Sequence, residues 1–195
     1  MISERPFSQA CENNKAPILT VLRQHCQAPG TLLEIGAGTG QHAAWLSGQL
    51  PHLTWQPSDV AENLPAVRQW LQDPDSQALA PIVLDVSGTW PAQQFDYLFT
   101  ANTFHIMSRQ LVARCIEEGC RHLAPNGQFL IYGPFKINGR FTSESNATFE
   151  LWLKDIDPLR AIRDKEWIEE EFARHGRKLQ AVYDLPANNM MLVFG

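Results

Sequence analysis

The sequence predicts an α/β fold: a doubly wound, Rossmann-like, seven-stranded sheet, mostly parallel with its last strand antiparallel, and helices on both faces. Three observations carry that expectation. In Thr31-Leu32-Leu33-Glu34-Ile35-Gly36-Ala37-Gly38-Thr39-Gly40-Gln41-His42, a short apolar run breaks into three alternate glycines and then into a helical pattern. That is a strand, a tight turn and a helix start. Two further apolar runs each reach an acid, Asp59 and Asp85, with helical spacing between them, so strands alternate with helices as a parallel sheet requires. At the C-terminal end, two apolar runs flank the polar bend Pro186-Ala187-Asn188-Asn189 and read as an antiparallel hairpin.

Taken in order, the polar stretch from Pro6 to Ala16 leads into a helix that opens at Ile18-Leu19-Thr20-Val21-Leu22 with Pro17 near its first turn, and ends before Pro29-Gly30. Asn13, Asn14 and Lys15 admit two readings: a solvated approach to that helix, or a lid folded across the C-terminal edge of the first strand. His42 to Leu50 is helical and stops at Pro51, Leu53 to Asp59 is a second strand, and Leu64 to Leu71 is a helix with Pro65 in its first turn. Ala80 to Val86 and Phe95 to Ala101 give two more strands. Arg109 to Leu123 sets Leu111, Val112, Cys115, Ile116, Cys120 and Leu123 on one helical face, and Ala124-Pro125-Asn126-Gly127 leads out of it into a fifth strand, Gln128 to Tyr132. The segment from Gly133 to Asn146 is polar and glycine-punctuated, the composition of a binding loop. Phe149 to Asp155 is helical. A better helix follows, with Asp164 as N-cap and Gly176 just past its end. Lys178 to Leu185 and Met190 to Phe194 form the closing hairpin.

A length of 195 residues suits one domain, and a 44% hydrophobic content can build a full core. The net charge of −5 and the absence of any Lys/Arg block argue against a chain that tracks phosphate backbones, so nucleic acid is not an expected partner. Cys11, Cys26, Cys115 and Cys120 form no CxxC pair and have no His at zinc spacing, so no metal site is expected. They fit reduced core residues of a cytoplasmic protein. Met1 to Arg23 lacks the continuous apolar core of a signal peptide and no run reaches membrane-spanning length. Oligomeric state has no signature in the sequence.

The glycines are where the chemistry concentrates. Such a turn needs positive φ, and a missing Cβ lets a ligand lie against the backbone, as at nucleotide sites. A dinucleotide fingerprint wants G-x-G-x-x-G; here the third glycine comes one residue early and Gln41 follows it, which disfavours NAD or FAD. With Glu34 ahead of the turn, the pattern E-x-G-x-G-x-G resembles motif I of class I S-adenosylmethionine (SAM) dependent methyltransferases. That resemblance implies SAM as cofactor, held by Glu34, Gly36, Ala37, Gly38 and Gly40. Asp59 falls about twenty residues beyond the glycines, where a carboxylate can accept both hydroxyls of a ribose; the competing role is N-cap of the next helix. In the family, the acid after the third strand faces the adenine amine and its neighbour packs on the ring, a role carried to Asp85 and Val86, against a loop carboxylate that caps its own turn. Asn102 and His105 follow the fourth strand on the ligand edge of the sheet, as contacts for the cofactor's methionine end or for the acceptor. The bland alternative for His105 is a satisfied, partly buried histidine.

A narrower resemblance covers nearly the whole chain. Glu12-Asn13-Asn14-Lys15-Ala16-Pro17-Ile18-Leu19, the glycine motif, Tyr132-Gly133-Pro134-Phe135, Thr142-Ser143-Glu144-Ser145-Asn146, Ile162-Arg163-Asp164 and Pro186-Ala187-Asn188-Asn189-Met190 together look like the methyltransferase-like protein 26 type, a former domain-of-unknown-function family. It implies a single SAM-binding domain over residues 1–195: an N-terminal lid and helix (1–30), a cofactor-binding core (31–135), and a substrate loop, helices and hairpin (136–195). The expected activity is methyl transfer to a small molecule, with Asn102, His105, Tyr132 and Asn188 at the acceptor. Lys136, Arg140 and Arg163 are the cations that could admit one carboxylate there. A catalytically silent SAM-binding module working through a protein partner is the alternative from another functional class.

Overall fold

The computed structural model describes residues 5–195. Helix α1, Gln9–His25, is N-capped by Ser8, whose side chain accepts from Cys11 N. It is longer than the sequence suggests: the stretch expected to be a polar approach is its first two turns, and Pro17 lies inside the helix. Proline there removes one backbone hydrogen bond, which burial of Ile18, Leu19, Val21 and Leu22 offsets. Then come β1 (Gly30–Ile35), α2 (Gln41–Gln49), β2 (Leu53–Asp59), α3 (Leu64–Trp70) and β3 (Ile82–Val83), the last much shorter than its apolar run. Next are β4 (Phe95–Ala101), α4 (Arg109–His122), β5 (Leu123–Gly133) and β6 (Phe135–Lys136). The chain ends with α5 (Glu144–Ile156), β7 (Arg163–Asp164), α6 (Lys165–Arg174), β8 (Leu179–Leu185) and β9 (Asn189–Phe194).

Seven strands form one sheet in the order β3-β2-β1-β4-β5-β9-β8. β1, β2, β3, β4 and β5 pair in parallel, while β9 runs antiparallel to both β5 and β8. The sheet is thus mostly parallel with its last strand reversed. Alternation along each strand sends side chains to opposite faces. Leu33, Leu98, Phe129 and Phe194 pack with Val112 and Ile116 of α4 and Phe172 of α6, and Leu32, Phe99, Leu130 and Val193 pack with Ile18 and Leu22 of α1 and Leu46 of α2. Two cores, one on each side, hold the sheet.

The segment expected to be a long binding loop is partly regular. β6 pairs with β7 outside the main sheet, and α5 starts at Glu144, with the Ser143 side chain accepting from Asn146 N at 3.1 Å. No helix among the described residues is long and apolar enough to cross a membrane.

Candidate functional site

The strand order reverses between β1 and β4, and in an open α/β sheet the C-terminal ends flanking that point form a crevice. β1 ends at Ile35, and the turn behind it is fixed by the N–H groups of Gly36 and Ala37, each donating to Ser58 O at 3.0 Å. The three glycines do different work. A Cβ on Gly36 would lie 2.6 Å from Thr103 Cγ2, and one on Gly40 would lie 2.7 Å from Val67 Cα. Gly40 therefore serves the packing of α2 against α3 rather than a ligand. Gly38, at φ 59°, is different: a Cβ there would meet nothing within 4 Å. It borders a cavity of about 800 Å³ that runs along the ends of β2, β1, β4 and β5, within the roughly 300–1,000 Å³ of small-molecule sites.

Asp59 stands on the cavity wall. Its Oδ2 accepts from Gly38 N at 2.6 Å, and its Oδ1 accepts from Val60 N at 2.7 Å and Asn63 Nδ2 at 2.8 Å. Asn63, not Asp59, is the N-cap of α3. Glu34 is placed elsewhere: it is buried behind the turn, off the cavity wall, and accepts from Trp55 Nε1 at 2.7 Å. Burial, with the Asp59 charge adding to it, pushes its carboxyl up to about 7 against the Trp55 hydrogen bond. Asp85 and Val86 do not reach the cavity either. The register sets Asp59 opposite Val83, so β3 ends before Asp85, whose exposed carboxylate turns back onto the N–H and Oγ of Ser87 at 2.8 and 2.7 Å. Those bonds hold it below the usual carboxylate range. Val86 packs on the core instead.

At the other end of the cavity, Asn102, in the left-handed region at φ 60°, donates its N–H to Tyr132 O at 2.9 Å. Asn102, His105 and Tyr132 all line the space. Burial, with the Arg163 and Arg160 charges adding to it, pulls His105 down to about 4, so its imidazole is neutral. Burial raises the Tyr132 phenol, while Asn14 and Asn189 beside it act the other way. Asn188 is a correction: it is not itself on the wall, but its amide donates to Ser145 Oγ at 3.3 Å and its carbonyl accepts from Asn146 Nδ2 at 3.1 Å, and those two partners line the cavity. The bend does arrive there, through Ala187 and Asn189, because consecutive left-handed residues, Ala187 and Asn188, turn the chain.

The N-terminal segment reaches the cavity through α1. Cys11, Asn13 and Asn14 of α1 line the cavity, and Asn14 Oδ1 meets His42 Nε2 at 2.7 Å. His42 is itself pulled down to about 4 by burial. Gln41 ties this helix to the glycine turn: its Oε1 accepts from Ser8 N and Thr39 Oγ1, and its Nε2 donates to Ser8 O at 3.2 Å.

Sequence reading missed Phe149, Trp152 and Arg160, which share the wall with His105. The three-residue spacing of the two aromatics was the available signal, since it places them on one side of a helix; Arg160, in an irregular segment, had none. The cations expected at the acceptor lie elsewhere. Lys136 pairs with Glu150 at 2.9 Å, and Arg163 donates to the carbonyls of Phe104, Met107 and Leu159. Neither these nor Arg140 borders the cavity.

A family model described as "Protein of unknown function (DUF938)" matches residues 5–195. The chain belongs to that family. Its fold is that of solved methyltransferases. It is similar to an O-methyltransferase family protein from Burkholderia thailandensis (17% identity, TM-score 0.82, covering 95% of this chain and 57% of that one). It is also similar to human N-acetylserotonin methyltransferase in complex with SAM (15% identity, TM-score 0.78, 95% and 52%) and to the mitomycin 7-O-methyltransferase MmcR (14%, 0.78, 93% and 53%). The chain spans little more than half the length of these structures.

Proposed function

We propose that the chain is a SAM-dependent methyltransferase that modifies a small molecule, in line with its resemblance to the methyltransferase-like protein 26 type. One observation carries the reading: a single continuous cavity joins the Gly38–Asp59 corner to a separate polar and aromatic end formed by His105, Tyr132 and Phe149. Donor and acceptor need that arrangement, because in-line transfer depends mainly on alignment and exclusion of water.

The residues present fit the cofactor. Gly38 leaves open space where its Cβ would project, and the Asp59 carboxylate lies on the wall for a ribose, while the neutral donors of Asn102 and Asn63 border the same space. When bound, SAM supplies a methyl group activated on a sulfonium. Methylation of a hydroxyl would leave a proton to be taken up, and the neutral imidazole of His105 stands at that end of the cavity to accept it. The α1 lid, pinned by Gln41, keeps bulk water from the glycine side.

Calorimetric titration tests the cofactor: S-adenosylhomocysteine (SAH) binds and NADH does not. Heat from NADH with none from SAH overturns the reading. Transfer of label from methyl-labelled SAM into a metabolite extract then tests catalysis.

A further inference from the structure

Arg160 is the Lys/Arg side chain bordering the cavity, and its Nε is buried without a hydrogen-bond partner among the described residues. An atom so enclosed is out of a ligand's reach; what Arg160 offers the space it borders is the positive charge and the remaining donors of its guanidinium, which suit an anion. The carboxylate that could have served is taken: Glu150 is bound by Lys136, by Lys154 and by the N–H of Ile162. Asp157 caps Leu159 N at 2.9 Å rather than pairing with Arg160. Asp59, the carboxylate on the wall, is bonded to the glycine turn at the other end of the sheet edge. The same wall carries an aromatic shelf. Phe149 and Trp152 stack with centroids 5.6 Å apart and planes 18° from parallel, and the His105 ring meets Phe149 edge-on at 5.2 Å. Trp152 is nonetheless 55% exposed, so a large apolar face is held open at the edge of the cavity.

We propose that the methyl acceptor is a planar aromatic molecule carrying one carboxylate or similar anionic group, its ring on the Phe149–Trp152 shelf and its anion on Arg160. The assignment rests on the methyltransferase reading for the identity of the cavity. Topology supports the division of labour: Gly38 and Asp59 follow β1 and β2, while His105, Phe149 and Arg160 follow β4 and β5 on the far side of the switch point. An aromatic anion satisfies both features at once. A neutral aromatic leaves Arg160 unmatched, and an aliphatic acid leaves the shelf uncovered.

The test uses the full chain saturated with SAH and three matched probe sets with one, two and three fused rings: hydroxylated aryl carboxylates, their uncharged amides, and their ring-saturated acids. Binding is read by calorimetry and by quenching of tryptophan fluorescence. At least one aryl carboxylate is expected to bind about tenfold or more tightly than its amide, the scale of one charge-assisted hydrogen bond, and more tightly than its saturated acid. Arg160→Met is expected to erase the preference over the amide, Arg160→Lys to restore part of it, and Trp152→Ala to weaken all aromatic probes together. Circular dichroism and SAH affinity report separately on whether each variant is folded. Equal affinity for acid and amide, a preference that survives Arg160→Met, or no binding by any probe at millimolar concentration overturns the assignment. Loss of SAH binding by the unaltered chain would instead overturn the methyltransferase reading.

Discussion

Gly38 and Gly40 lie two residues apart in similar backbone, yet their neighbours separate them: open cavity for one, the backbone of Val67 for the other. Gly38→Val should therefore lower SAH affinity more than tenfold while circular dichroism stays native. Gly38→Ala bears the same positive-φ strain with less bulk and controls for it. Gly40→Ala should instead cost stability, by about 1–3 kcal/mol from backbone strain alone, read from denaturant midpoints. Glu34 makes a second residue-scale prediction. Its carboxyl is raised from 4.5 to about 7 in the fold, so between those values the native state binds more protons than the unfolded one. Stability from this group is complete below about pH 4.5 and is lost as pH rises through about 7. Glu34→Gln keeps an oxygen for Trp55 Nε1 and cannot ionise. It should melt higher than wild type at pH 8, with the gap closing by pH 4.5; an equal gap at both pH values would contradict the assignment.

At the scale of elements, the first helix is the part of the site that local pattern hid most. Pro17 marks a helix start by ordinary rules, and the polar residues before it read equally well as loop. What makes them helix is a cap at Ser8 and a tertiary contact from Gln41, thirty-three positions on, which no local window contains. Gln41→Ala should loosen this lid: amide exchange across α1 speeds up and SAH affinity falls about threefold to tenfold, the scale of a lost hydrogen bond or two. Unchanged exchange would mean that packing alone holds the helix. The strands, by contrast, were legible. β2 and β4 end where the sequence places them, at Asp59 and Ala101; β4 is nearly all apolar, as a buried parallel strand is, while β2 has only Leu53 and Trp55 as large apolar residues and is marked by the acid that ends it. β3 was not legible, since Pro81 and the turn held by Asp85 and Ser87 leave it two residues. That truncation is why the adenine role carried to Asp85 and Val86 has no support in the geometry. Asn188 failed for a smaller reason: within the left-handed turn at Ala187 and Asn188, its neighbours Pro186, Ala187 and Asn189 line the cavity while Asn188 bonds to Ser145 and Asn146.

The molecule is built on one seven-stranded sheet with an apolar core on each face, and the cavity touches both halves of its C-terminal edge. α1 packs on one face and α4 and α6 on the other, yet the strands between them are shared: Leu32 and Leu33 sit in different cores. Neither core can come apart without exposing the backs of strands that hold the other, so unfolding should be a single cooperative transition. A ligand that spans the edge then stabilises the entire unit rather than one part. With SAH at a hundredfold over its dissociation constant, mass action adds about 2.7 kcal/mol, and the whole calorimetric transition should move upward as one peak. Two peaks, or a shift confined to part of the heat, would show that the glycine side and the hairpin side unfold independently, and that the site joins two weakly coupled pieces.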